Sequence, residues 1–291
     1  MSSNLFVRPP RDAFLNGKGG SGKTFGVVQI AHALARRNKR VLVVEVDPQD
    51  DTADRLDAGD PTRLTMAEVL DPHNPRPITD AITACGWDVP EAPYIHVAQG
   101  GYMLEDRLHE TDRPGSQFRL RRALDALPAD MYDHVLLNAD PSLGHLVQNC
   151  IAALDGAQDR VWITVIPERN EIKGGMRMAT FVSNFRQHLM VPNLKFGGVI
   201  INKADTRLKL HNRYIDEMPT SFKAIDQGNP VPVLPHVIPF RARLAETQSE
   251  SLPITSFRPS ECEGVIESID ALTDVVIARG MEEQEEILNG A

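Results

Sequence analysis

Apolar residues fall into two alternating rhythms along this chain. Short runs at 41–46, 94–97, 134–137, 161–166, 198–201 and 233–238 place apolar, often β-branched side chains at nearly consecutive positions. That pattern predicts strands buried on both faces. Between most of them the apolar positions spread to three- and four-residue spacing, as at 118–127 and 175–188, which predicts helices with one packed face. Ala13, Phe14, Leu15 and Asn16 make a further short run, and after a glycine-rich turn Val27, Ile30, Ala31 and Leu34 recur at helical spacing. Toward the end of the chain Val265, Ile266, Ile269, Leu272 and Val276 predict a packed C-terminal helix. Strands that alternate with helices imply an α/β fold, a mostly parallel central sheet with helices on both faces.

The stretch 71–93 carries five prolines and few helical signals, and reads as a loop-rich insertion within a single domain spanning 1–291. The last residues, 281–291, form an acidic tail, read as a solvated helix end. With 291 residues and 42% apolar composition the chain has ample material for one large core. Its apolar runs fall short of the roughly 18 residues of a membrane span, and its first residues lack a charged-then-apolar leader pattern. Cys85, Cys150 and Cys262 are isolated and odd in number, as expected of reduced, buried thiols in a cytoplasmic protein. A formal net charge of −9 argues against a protein coated in positive potential but leaves room for a local basic face.

The chemistry begins at the turn after the first short run. Gly17, Lys18, Gly19, Gly20, Ser21, Gly22, Lys23 and Thr24 satisfy the G-x-x-x-x-G-K-[ST] phosphate-loop pattern. Glycines let successive backbone N–H groups turn inward around phosphate oxygens, at the start of a helix whose dipole favours negative charge. Lys23 would then neutralise the β- and γ-phosphates, and the Thr24 hydroxyl would ligate Mg²⁺. A strand before the loop and a helix after it are the setting this motif requires.

An ordinary phosphate loop has no need of Lys18. The K-G-G-x-G-K-T run resembles the deviant Walker A motif of the ParA/MinD family, in which the early lysine reaches across a dimer interface to the partner's nucleotide. The resemblance implies a single P-loop NTPase domain that uses ATP and Mg²⁺. Glu45-Val46-Asp47-Pro48-Gln49 is similar to the family's D-x-D-P-Q strand end. That implies that Asp47 helps position the attacking water and the Mg²⁺ shell, with Glu45 a conservative exchange at the earlier acid. The segment 133–144 resembles the Walker B region, but Asn138 stands where that motif has its aspartate. An amide brings no negative charge, so metal affinity is expected to weaken. Asp140 is then either a compensating acid on the same side or a switch residue near the γ-phosphate. Val165-Ile166-Pro167-Glu168 with Gly174, and Val237-Ile238-Pro239 with Arg243, Leu244 and Glu246, extend the resemblance over roughly 12–275. It makes Asn202, near the end of the 198–201 strand, the candidate adenine contact.

By the same resemblance Arg207 and Arg243 match positions that relatives use on DNA phosphates, with Arg241, Lys209 and Arg213 as neighbours in a shared patch. The leading expectation is a ParA-type partition ATPase. Mg-ATP closes a sandwich homodimer, the dimer binds DNA without sequence preference, and a ParB-like adaptor or cargo protein stimulates the slow hydrolysis that releases it. Lys18, Lys23 and Asp47 are the catalytic candidates, acting by positioning and charge neutralisation. Such a protein is cytoplasmic and nucleoid-associated, and is expected to be the short form without an added helix-turn-helix domain. Two alternatives stand beside this reading. Asn138 favours a nucleotide-gated tether or regulator with little turnover, and the family's other branch offers a MinD-like, membrane-associated division regulator. Acidic neighbours around the C-terminal apolar stripe disfavour membrane attachment, because MinD-type proteins carry a basic amphipathic helix there.

Overall fold

Strands built from consecutive apolar residues need cover on both sides, and the fold provides it. The computed structural model describes residues 8–49, 51–111 and 113–289. Its strands are β1 (Arg11–Leu15), β2 (Val41–Val46), β3 (Ile82–Ala84), β4 (Ile95–Ala98), β5 (His134–Ala139), β6 (Arg160–Val165), β7 (Lys195–Ala204) and β8 (Val233–Pro239). Its α-helices are α1 (Lys23–Ala35), α2 (Asp51–Arg55), α3 (Met66–Val69), α4 (Arg119–Asp125), α5 (His145–Ala152), α6 (Arg169–Phe185), α7 (Lys209–Ser221), α8 (Leu244–Ser249) and α9 (Val265–Asn289). The strands form one sheet in the order β3-β4-β2-β5-β1-β6-β7-β8. Every neighbouring pair is parallel except β3 and β4, which are antiparallel. This is the α/β architecture that the alternating rhythms predict.

Alternation along each strand splits the core in two. Ala13, Leu15, Leu42, Val44, Leu137 and Ile163 pack into one cluster with α3, α4, α5 and α6. Phe14, Val41, Val43, Leu136, Trp162 and Ile200 pack into the other with α1, α2 and α9. β1 lies between β5 and β6, and the chain leaves it through α1 toward β2 on one side while β6, β7 and β8 extend on the other. Loops after β1 and its neighbours therefore diverge at their C-terminal ends, which opens a crevice there.

Some elements depart from the expectation. β1 begins at Arg11 and not Ala13, because its polar residues are buried with partners. The Arg11 guanidinium donates to Ala153 O at 3.0 Å and Asp125 at 2.6 Å, and Asp12 accepts from Trp162 Nε1 at 2.7 Å. The stretch 71–93 contains β3, whose three residues Ile82, Thr83 and Ala84 are too few to show a period and sit at the sheet edge. The sequence pattern does not predict α7, which buries only His211 and Met218 and carries Pro219 near its end. α9 continues past Val276 to Asn289, so most of the acidic tail extends this helix, and Gly290 and Ala291 lie outside the described residues. Among the described residues no helix is long and apolar enough to cross a membrane.

Asp12 gives the core a pH dependence. Burial pushes its carboxyl up to about 7 from an ordinary 3.8, against the opposing hydrogen bond from Trp162. Between those values the folded state keeps a proton that the unfolded chain releases, so stability falls as pH rises. The slope approaches about 1.4 kcal/mol per pH unit for one such group. His32 and His134, which burial pushes down to about 4, act in the opposite sense and lose stability as pH falls below their ordinary value. The contribution of Asp12 is therefore isolated by comparison. Asp12→Asn keeps an acceptor for Trp162 and cannot ionise, so its stability relative to the parent should rise between about pH 4 and about pH 7. Urea unfolding across that range checks this, and parallel curves for the two proteins would exclude Asp12 as the source.

Candidate functional site

The crevice begins where β1 ends. Asn16 is buried and turns the chain, donating through Nδ2 to Ser21 Oγ at 2.8 Å and to the Lys18 carbonyl. Gly20 and Gly22 hold positive φ of 87° and 79°, which side chains resist. A Cβ on Gly17 would lie 2.1 Å from the carbonyl oxygen of Gly174 in α6, so loop and helix touch backbone to backbone. Gly22 is the N-cap of α1; it offers no side-chain cap, and the first turn holds no acid. The amide end of α1 therefore faces the loop without an internal partner, the arrangement that favours a bound anion. A cavity of about 320 Å³ lies there, bordered by Gly20, Lys23, Asp47, Gln49, Arg55 and Lys203.

Behind the loop the candidate residues form a buried polar network. Lys23, 5% exposed, donates to Asn138 Oδ1 and lies 3.6 Å from Asp47 Oδ2. Asn138 Nδ2 is 3.2 Å from the Thr24 hydroxyl, 2.9 Å from Thr52 Oγ1, and 2.9 and 3.0 Å from the two oxygens of Glu45. Burial raises the Asp47 carboxyl above its ordinary range, with the Lys23 charge opposing the shift and Asp140 adding to it. Asp140 turns onto its own loop, accepting from the Ser142 hydroxyl and from Ser142 N at 3.3 Å. Of the four candidate metal residues, Thr24 and Asn138 are thus in direct contact, Asp47 joins them through Lys23, and Asp140 closes the turn after β5. Among the described residues no cluster of three His, Cys, Asp or Glu side chains would hold a metal by itself. The donor set, a hydroxyl beside an amide and one acid, suits Mg²⁺ that arrives with phosphate and water ligands of its own.

Asn202, the candidate adenine contact, lies against the glycine loop. Its Nδ2 donates to the carbonyls of Ser21 at 3.1 Å and Gly22 at 3.0 Å, while Oδ1 accepts from Lys203 N at 2.8 Å. The side chain therefore braces the underside of the loop. Lys203, with φ of 51°, adds a bond from Nζ to Gly20 O at 2.8 Å. Lys203, Thr52 and Glu45 are site residues that sequence reasoning did not assign. Only Glu45, an acid inside an apolar strand, carried a signal for this.

The remaining candidates lie outside the cavity. Lys18 leaves its side chain 42% exposed, 3.8 Å from Glu171. Pairing of Ala204 with Pro239, and of Phe240 N with Ala204 O at 2.8 Å, brings the loops carrying Arg207 and Arg241 to one corner. Arg207 is exposed and paired at 2.8 Å with Asp205 in its own loop. Arg241 donates to the carbonyl of Phe240 at 3.0 Å. Arg243 is held between Glu246 and Glu261, with its guanidinium 5.7 Å from the Phe257 ring centre. Lys209 and Arg213 are exposed on α7, with Arg213 3.6 Å from Glu217.

Comparison with known proteins agrees with this geometry. Residues 12–254 match the CobQ/CobB/MinD/ParA nucleotide binding domain. The chain is similar to the chromosome partitioning protein ParA of Myxococcus xanthus, 30% identical over 82% of this chain and 78% of that one. It is equally similar to the sporulation initiation inhibitor protein Soj of Bacillus subtilis, 30% identical over 85% and 90% of the two chains. Cobyrinic acid a,c-diamide synthase from Mycobacterium smegmatis, solved with an ATP analogue and magnesium, shares the fold with a TM-score of 0.68, at 24% identity over 84% of this chain and 93% of its own. A glycine loop feeding an uncapped helix, a buried lysine beneath it and this match over most of the chain lead to one assignment: the chain belongs to the CobQ/CobB/MinD/ParA family of nucleotide-binding domains.

Proposed function

We propose that this protein is a ParA-type ATPase that binds Mg-ATP, dimerises around it and holds DNA until hydrolysis releases it. The observation that carries the reading is the union of two lysines in one loop. Lys23 is buried beneath the cavity, while Lys18 has its backbone fixed by Asn16 and its side chain directed out of the loop. A lysine so placed suits a nucleotide held by a second copy of the chain. Similarity to the ParA and Soj proteins supports the same reading.

In this mechanism the N–H groups at the start of α1 and the Lys23 ammonium take the β- and γ-phosphates. The Thr24 hydroxyl would hold Mg²⁺, which would supply charge neutralisation at the phosphates. Asp47 orients the attacking water, and Lys18 of the opposite subunit offsets negative charge on the γ-phosphate. Asn202 and Lys203 keep the loop in shape, with Asn202 at the edge where a base would lie. Arg207 and Arg241, at one corner of the sheet, meet DNA phosphates, with Lys209 and Arg213 beside them. Arg243, tied to two glutamates, shapes the segment after β8. A ParB-like adaptor or cargo protein completes the cycle of a nucleoid-associated protein.

A second reading has an observation of its own. Asn138 takes the Lys23 ammonium where a Walker B carboxylate would stand, which suits a tether or regulator that binds ATP with little turnover. Phosphate release with Mg²⁺ and DNA separates the two: DNA-stimulated turnover sustains the ATPase, and its absence with tight ATP binding leaves the tether.

Lys23→Ala should weaken ATP binding by about 1.5–3 kcal/mol, the worth of a hydrogen bond to a charged group. Isothermal titration measures this directly. DNA retention should require ATP and Mg²⁺, fall steeply with salt, and be lost in Lys18→Ala. The Arg207→Ala/Arg241→Ala double variant should bind more weakly, its salt slope shallower by about one unit for each phosphate contact removed. Tight nucleotide binding without any DNA retention would sink the proposed role.

A further inference from the structure

Asn138 leaves the phosphate site without the carboxylate that a strand-end aspartate would bring, and a second buried acid stands beside it. In the parallel register of β2 and β5, Glu45 lies opposite Asn138. Both residues are fully buried. Four oxygen acceptors surround Asn138 Nδ2: both Glu45 carboxyl oxygens, at 2.9 and 3.0 Å, and the hydroxyls of Thr52 and Thr24, at 2.9 and 3.2 Å. On its other side the amide oxygen accepts from Lys23 Nζ. An amide has two hydrogens and one carbonyl oxygen, so its orientation decides which neighbours it satisfies. Reversed, it would press its oxygen against the Glu45 carboxyl and its N–H groups against the Lys23 ammonium. Glu45 and Lys23 together therefore hold it one way round.

We propose that Glu45 is a positioning residue of the nucleotide site. It fixes the Asn138 amide between Lys23 and Thr24, and it supplies from the adjacent strand the acid that Asn138 lacks. The inference rests on the nucleotide reading above and acts through Asn138, not on the phosphates directly. Its consequence is that acid and amide are exchangeable as a pair but not singly. Asn138→Asp sets two carboxyls face to face and removes the amide N–H groups between them. Glu45→Gln sets two amides together and removes the acid beside Asn138, leaving Asp47 as the acid near Lys23. The double variant restores one acid and one amide, on exchanged strands.

The test uses the full chain as parent, Glu45→Gln, Asn138→Asp and the double variant. Each is titrated with a fluorescent, non-hydrolysable ATP analogue in Mg²⁺ and in EDTA, and melted without nucleotide. Each single variant should lose about 10- to 100-fold of the Mg²⁺-dependent affinity, as outer-shell partners of a metal site do. The double variant should return to near the parent, and affinities in EDTA should change little. Single variants that bind like the parent would overturn the proposal. So would a double variant no tighter than the weaker single, or losses equal in Mg²⁺ and EDTA, which would make Glu45 a structural acid only. If a single variant melts far below the parent, the double variant alone decides. A parent that binds no nucleotide overturns the proposed function itself, and this inference with it.

Discussion

Lys23 is an ammonium group held almost out of water, and a charge so placed must be balanced by what surrounds it. Its balance comes from three strands: its own loop follows β1, Asp47 lies 3.6 Å away just past β2, and Asn138 accepts its hydrogen bond from within β5. None of these contacts exists until the sheet has formed in its observed order, with β5 between β1 and β2. The site and the fold are thus one assembly problem. Moving β5 out of register by one residue would turn Asn138 to the opposite face of the sheet and leave the lysine without its nearest acceptor.

The loop above that lysine is held from below and from the side. Asn202 and Lys203, at the end of β7, bond three of its carbonyls, and the contact of Gly17 with Gly174 ties it to α6. With its carbonyls so engaged, the N–H groups at the start of α1 are left to face the cavity. Preorganisation of this kind lets a bound anion meet dipoles already aimed at it, with little rearrangement. Arg207 and Arg241 lie outside this braced region, and Lys18 extends its side chain from the loop toward Glu171.

Asn138 shows why a motif residue is best understood with its neighbours. Alone it is a missing charge at a metal site. Within the structure it is the centre of a hydrogen-bond network with buried Lys23, Glu45 and Thr52 and half-buried Thr24, in which amide orientation is set by an acid on one side and a cation on the other. Networks of this kind constrain geometry strongly, because a partner removed leaves a buried group unsatisfied.

The sequence by itself determined the α/β class, the central strands and the identity of the phosphate loop. Each depends on local spacing: consecutive apolar residues record burial on both faces, and the positions of Gly17, Gly22, Lys23 and Thr24 record a turn geometry. It did not disclose β3 or α7, because a three-residue edge strand has no period and the short stripe of Tyr214, Ile215 and Met218 in α7 runs into Pro219. It also did not disclose that Asn202 braces the loop or that Glu45 meets Asn138 across the sheet. Those pairings join residues far apart in the chain. They are set by strand order and register, which only the packing of the whole sheet decides.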